Sequence, residues 1–197
     1  MLGVVELSMG EQSNLSDRAG RRWQVGLVVY ALAIYAMLPL GRSVGSAVVG
    51  TSVGAWLLGS GTVVLGGGGA ALLLVALRRR AVSGWWFLQL AVVTAGYVAA
   101  LSWLQMYRLE RIHFPEYGVA AWISWRAVAP LLRSVSGRYT AAAAVASLIG
   151  IGDEVLQMFV PGRVFDPRDI LANVIAVMLG LALLPVVRAA LSDESRA

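Results

Sequence analysis

The chain has no cysteine, no lysine and one histidine, His113, among 197 residues. Without cysteine there is neither a disulfide framework nor a thiolate metal site. A single histidine excludes any motif that needs two, the His-Glu-x-x-His zinc motif included. Charge is also scarce: Asp, Glu and Arg together make up 14% of the residues, against about 25% in a soluble domain. What fills the space is apolar. Hydrophobic residues account for 58% of the chain and mean hydropathy is +0.73, which marks an integral membrane protein. The length suits one domain. The net charge of +5 would suggest nucleic acid only in a soluble chain. Here arginines at cytoplasmic helix ends explain it, and no nucleic-acid partner is expected.

A spanning helix needs about 20 mostly apolar residues, and on that basis six spans are predicted. They cover residues 23–40, 53–77, 82–104, 116–132, 139–159 and 167–187, making an all-α, polytopic transmembrane helix bundle. Residues 1–22 lack the apolar core of a cleaved signal peptide and read as a cytoplasmic N-terminal tail, disordered or interfacial. Residues 23–188 form the membrane domain and 189–197 a cytoplasmic C-terminal tail. The second span contains Gly66-Gly67-Gly68-Gly69. No lysine follows, so this is no phosphate-cradling Walker loop, and close helix packing is the better expectation. With the N-terminus inside, ten arginines fall on cytoplasmic pieces and five on outward loops. That bias predicts an N-in, C-in topology in the bacterial inner membrane, with the bilayer as the first partner.

Against this apolar background one stretch stands out. Residues 152–173 carry Asp153, Glu154, Gln157, Arg163, Asp166, Arg168, Asp169 and Asn173. Polar groups so close to hydrocarbon usually have partners or a function. The fifth span is apolar only over residues 140–151, so Gly152, Asp153 and Glu154 must continue its helix at depth. Asp153 then lies about 22 Å above Arg138 at ~1.5 Å per residue, inside a core of about 30 Å. Asp166-Pro167-Arg168-Asp169 is a helix start, with Asp166 as N-cap, Pro167 at the first position and Asp169 favoured by the helix dipole. Asp166, Asp169 and Asn173 share one face, as do Glu154 and Gln157. Glu110, His113 and Glu116 or Tyr117 make a third polar stripe.

Each of these residues also has a plainer role. Asp166 can be a cap and no more, Arg163 and Arg168 can neutralise nearby acids, and His113 can make a structural hydrogen bond. Glu154 is harder to dismiss, because a carboxylate at that depth needs a proton or a partner. Arg126 lies within snorkelling range of the cytoplasmic interface, too far down to be that partner.

The pattern Arg111-x-His113-Phe114-x-x-Tyr117-Gly118, followed by Gly152-Asp153-Glu154-x-x-Gln157-x-x-x-Pro161-Gly162-Arg163-x-x-Asp166-x-x-Asp169-x-x-x-Asn173, resembles the VanZ-like family of bacterial membrane proteins. The resemblance covers residues 104–184. Val174 and Ile175 follow Asn173 where the family commonly has a small residue and glycine. Founding members are associated with low-level resistance to the glycopeptide teicoplanin, which acts outside the membrane. The resemblance therefore implies an envelope role on the side where the charge bias puts both motifs.

Three functions fit. The first is a binding or accessory role without chemistry, in which the polar cluster locks the fourth, fifth and sixth helices together or shapes an outward pocket for a glycopeptide, a lipid or a partner protein. The second is a membrane hydrolase or transferase acting on a lipid-linked envelope substrate. There His113, Asp153 and Glu154 would be the acid–base groups, and Arg111, Tyr117, Gln157, Arg163, Asp166, Asp169 and Asn173 would hold the substrate. The third, a proton-coupled transporter, has no inverted repeat behind it. No cofactor is expected. A divalent cation among Asp153, Glu154, Asp166 and Asp169 stays open, since oxygen ligands suit Mg or Ca.

Overall fold

The described apolar segments form helices with an inverted distribution of polarity. Leu148, Phe159 and Met178 are exposed, while His113, Asp153, Glu154, Gln157 and Asn173 are buried. Such a surface suits lipid, where no hydrophobic gain follows from hiding Leu or Val. The computed structural model describes residues 9–49, 51, 84–103 and 113–191. Among these, five helices and no strand occur: α1 (Met9–Val49), α2 (Gly84–Trp103), α3 (His113–Val128), α4 (Val135–Gln157) and α5 (Pro167–Leu191).

Among the described residues, three stretches are long and apolar enough to cross a membrane: Arg18–Leu40, Val135–Gln157 and Pro167–Arg188. Trp85–Ala100, within α2, is apolar but shorter. The expected second span, with its glycine run and Arg78, Arg79 and Arg80, lies outside the described residues. Helix α1 starts at Met9, so residues 9–22 are helical and continue into the first span. Disorder, one of the two expectations for that segment, is not what is found there. The helix also runs through Pro39 to Val49, past the expected end at residue 40. Helix α4 continues unbroken through Gly152, Asp153 and Glu154, as the twelve-residue apolar stretch requires.

Helix α3 is the hub. Its described residues, His113–Val128, span about 24 Å at 1.5 Å per residue. Its Phe114, Tyr117, Ala120 and Ala121 are fully buried, because α1, α4 and α5 pack around it. Hydrogen bonds from side chains to neighbouring backbones tie the helices together. Tyr30 donates to the Glu116 carbonyl at 3.0 Å, Tyr35 to the Ile149 carbonyl at 3.0 Å, and Gln89 to the Ala182 carbonyl at 2.6 Å.

Helices α3 and α4 are joined by residues 129–134, and α4 and α5 by residues 158–166, so α3 and α5 run parallel with α4 antiparallel to both. This connectivity sorts charge along the bundle. The end with the α3 and α5 C-termini carries Arg126, Arg133, Arg138 and Arg188. Two of these lie over tryptophans, Arg126 at 4.7 Å from the Trp23 ring centre and Arg188 at 4.9 Å from that of Trp125, a cation–π geometry. Arg126 is thus engaged far from Glu154. The acids of the polar stretch lie at the opposite end.

Helices α3 and α5 touch backbone to backbone. A Cβ on Gly180 would lie 2.8 Å from the Gly118 Cα and 3.0 Å from its carbonyl oxygen, so only glycine permits this approach. We expect Gly180→Ala to destabilise the bundle by about 1–3 kcal/mol through overpacking, lowering the thermal midpoint of the detergent-solubilised protein. Gly26→Ala, where nothing lies within 4 Å, should leave that midpoint unchanged. Equal midpoints for both variants would refute the crossing.

Candidate functional site

At the acidic end, α3 begins, α4 ends and α5 begins. Helix α5 starts as its sequence dictates. The Asp166 carboxylate accepts the Arg168 backbone N–H at 2.9 Å, and the Arg168 guanidinium donates to it at 2.7 Å. These bonds hold the Asp166 carboxyl below the usual carboxylate range. Pro167 fills the first helical position, where its missing N–H costs nothing. Upstream, Gly162 makes the turn out of α4 with φ 79°, a left-handed conformation that favours glycine.

The cap fixes the register of α5, and the register brings Asp169 inward. One donor atom each from His113, Glu154 and Asp169 lie within 4.8 Å of one another. They come from α3, α4 and α5, so no two are neighbours in sequence. His113 and Glu154 are buried, and Asp169 is half-buried. Glu154 is held at both oxygens: Gln157 donates to Oε1 at 2.6 Å and the Asp166 backbone N–H to Oε2 at 3.4 Å. His113 stacks on Tyr117 with ring centres 5.9 Å apart, and its Nδ1 lies 3.7 Å from Glu116 Oε2. This pairing of Glu154 with Gln157 supplies the partner that the sequence demanded for a deep carboxylate.

A second layer surrounds the trio. Asp153 is buried next to Tyr117 and Gln157, and Arg163 is close enough to act on the charges of His113, Asp153 and Glu154. Asn173, fully buried, donates to the Gly150 carbonyl at 3.2 Å. Gly150 makes room for this, since a Cβ there would lie 2.8 Å from Asn173 Cβ and 3.1 Å from Tyr117.

Of the sequence candidates, then, His113, Glu154 and Asp169 converge, with Tyr117, Asp153, Gln157, Arg163 and Asn173 around them. The Asp166 side chain is not in the trio; it is taken up by the cap and by Arg168. Arg111 and Glu110 lie outside the described residues. Three participants were not singled out from the sequence: Gly150, Tyr30 and Tyr35. Tyr35 reaches this end of α4 from α1 and bonds to the residue before Gly150. A signal existed, since two tyrosines inside an apolar span carry hydroxyls that need acceptors.

Three polar atoms here are buried without a hydrogen-bond partner: His113 Nδ1, Arg163 Nε and Asn173 Oδ1. Only Ser124 Oγ and Trp125 Nε1 share that condition elsewhere among the described residues. A buried network of this kind draws on ordered water or a ligand to complete its hydrogen bonds. Chemically, this one offers an imidazole and carboxylates for proton transfer or cation binding, and a guanidinium for an anion.

No curated protein and no solved structure shows significant similarity to the chain. A sequence model of the VanZ/LLP1 family does match it, over residues 27–188. That match takes in α3, α4, most of α5 and every candidate named above, and it agrees with the resemblance carried by the two polar motifs. The chain belongs to the VanZ/LLP1 family.

Proposed function

We propose that this VanZ/LLP1-family protein is a multi-pass protein of the bacterial inner membrane, and that its polar end receives the headgroup of an envelope lipid or lipid-linked envelope precursor on the outer side. The observation that carries the proposal is the meeting of His113, Glu154 and Asp169 beside Arg163, with unpaired polar atoms around them. A guanidinium among hydrogen-bonding groups at the edge of an apolar bundle suits a ligand with an anionic or polyhydroxyl head and an apolar tail. The outward orientation rests on the arginines at the opposite end of α3, α4 and α5, which the positive-inside rule assigns to the cytoplasm. Sequestering such a precursor, or altering its availability, is the route by which this member would give protection against teicoplanin.

A second reading is favoured by one feature, the closeness of an imidazole and a carboxylate. In it Glu154 and His113 exchange a proton with water or a substrate hydroxyl, and the protein hydrolyses or transfers the headgroup. Geometry admits it; a nucleophile motif is lacking in the sequence.

Two experiments test these readings. In a teicoplanin-sensitive host, Glu154→Gln, His113→Gln and Arg163→Lys should abolish the protection given by the wild-type chain while membrane abundance stays within twofold. Protection that persists at normal abundance in all three would defeat the site assignment. Release of a water-soluble product from a polyprenyl-linked saccharide by the wild type, lost in Glu154→Gln, would select the hydrolase. For orientation, single cysteines at Ser136 and Val164, both exposed, should react with a membrane-impermeant maleimide on intact cells only at position 164. Labelling at both, or at 136 alone, would overturn the topology.

A further inference from the structure

We propose that His113, Glu154 and Asp169 form a binding site for one divalent transition-metal ion. The inference deepens the headgroup site and rests on its being a ligand site. Three lines carry it.

The first is the donor set. The three residues come from three helices and present their donor atoms to a common point, all within 4.8 Å of one another. Ligand bonds of about 2.1 Å at tetrahedral angles place donors about 3.4 Å apart, so the widest pair must close by up to about 1.4 Å. Side-chain torsions supply that without moving a helix.

The second is support behind the ligands. Metal-binding carboxylates are themselves hydrogen-bonded, which orients them and preserves their charge. Glu154 has this from Gln157 at 2.6 Å and from the Asp166 N–H at 3.4 Å. Asp169 is set by the capped start of α5.

The third is the buried imidazole. His113 is 8% exposed, and its Nδ1 has no hydrogen bond. Asn173 Oδ1, fully buried, likewise lacks a donor. Unpaired acceptors next to clustered carboxylates in a low-dielectric setting call for a cation or for water bound to one.

Ligand chemistry chooses the ion. Carboxylates alone would suit Mg or Ca, but an imidazole moves the preference to first-row transition metals. One nitrogen and two carboxylate donors leave positions open for water or for an anionic headgroup. Such an ion would hold a phosphate oxygen opposite Arg163.

The full chain in lipid nanodiscs, stripped with chelator and titrated with Mn2+, tests this by electron paramagnetic resonance. We expect one saturable Mn2+ per chain, displaced by Zn2+ but not by equal Mg2+ or Ca2+. His113→Gln and Asp169→Asn should each weaken binding at least tenfold, and Arg138→Gln at the far end should not. Size-exclusion elution and helical circular dichroism certify folding, and Asp169→Asn, only half-buried, keeps the test alive if the His113 variant fails to fold. Absence of saturable binding by intact wild type would overturn the site. So would unchanged affinity in the folded variants, or equal displacement by Mg2+ or Ca2+. The titration contains no headgroup ligand, so its failure is separate from failure of the lipid reading, which headgroup binding to the chelated protein examines.

Discussion

Carboxylates placed deep in an apolar bundle must be compensated, and the architecture of this protein follows from how that is done. An ionised group moved into a low-dielectric interior without partners loses far more solvation than a marginally stable fold can supply. Glu154 therefore sits where Gln157, the α5 start and His113 can reach it. The same requirement explains why α3 is central. It carries the imidazole and Tyr117 into the interior, and it is screened from lipid by α1, α4 and α5.

Close packing makes the arrangement possible. The Gly118–Gly180 contact lets α3 and α5 approach backbone to backbone, and Gly150 lets α4 settle against Asn173 and Tyr117. Larger residues at these points would spread the three helices and separate donors that now meet within 4.8 Å. The Asp166–Pro167 start then sets the rotation of α5, so that Asp169 and Asn173 face inward while Arg168 stays outside on the cap. Packing and capping are thus prerequisites of the chemistry.

Much of this was legible in the sequence because local rules governed it. Uninterrupted apolar runs gave the helices of α1, α2, α4 and α5, and the twelve-residue stretch before Gly152 required Asp153 and Glu154 to remain helical. The cap at Asp166 followed from residue types alone. What the sequence could not supply was tertiary. That Asp169, rather than Asp153 or Asp166, joins His113 and Glu154 depends on the rotation of α5 against α3. That Tyr30 and Tyr35 bond to α3 and α4 depends on how α1 lies across them. The helical state of residues 9–22 is not legible from their mixed polarity, since such a segment becomes a helix by continuing one already nucleated.

The sole imidazole of the chain lies among carboxylates from two other helices. Solid-state NMR on bilayer-embedded protein, with 15N-labelled histidine and 13C-labelled aspartate and glutamate, addresses it directly, because one histidine gives one unambiguous pair of ring signals. The account predicts through-space contacts from the His113 ring nitrogens to two carboxylate carbons beyond Glu116, one lost in Glu154→Gln and the other in Asp169→Asn. Contact with Glu116 alone, or ring signals of a histidine exposed to bulk water, would contradict it.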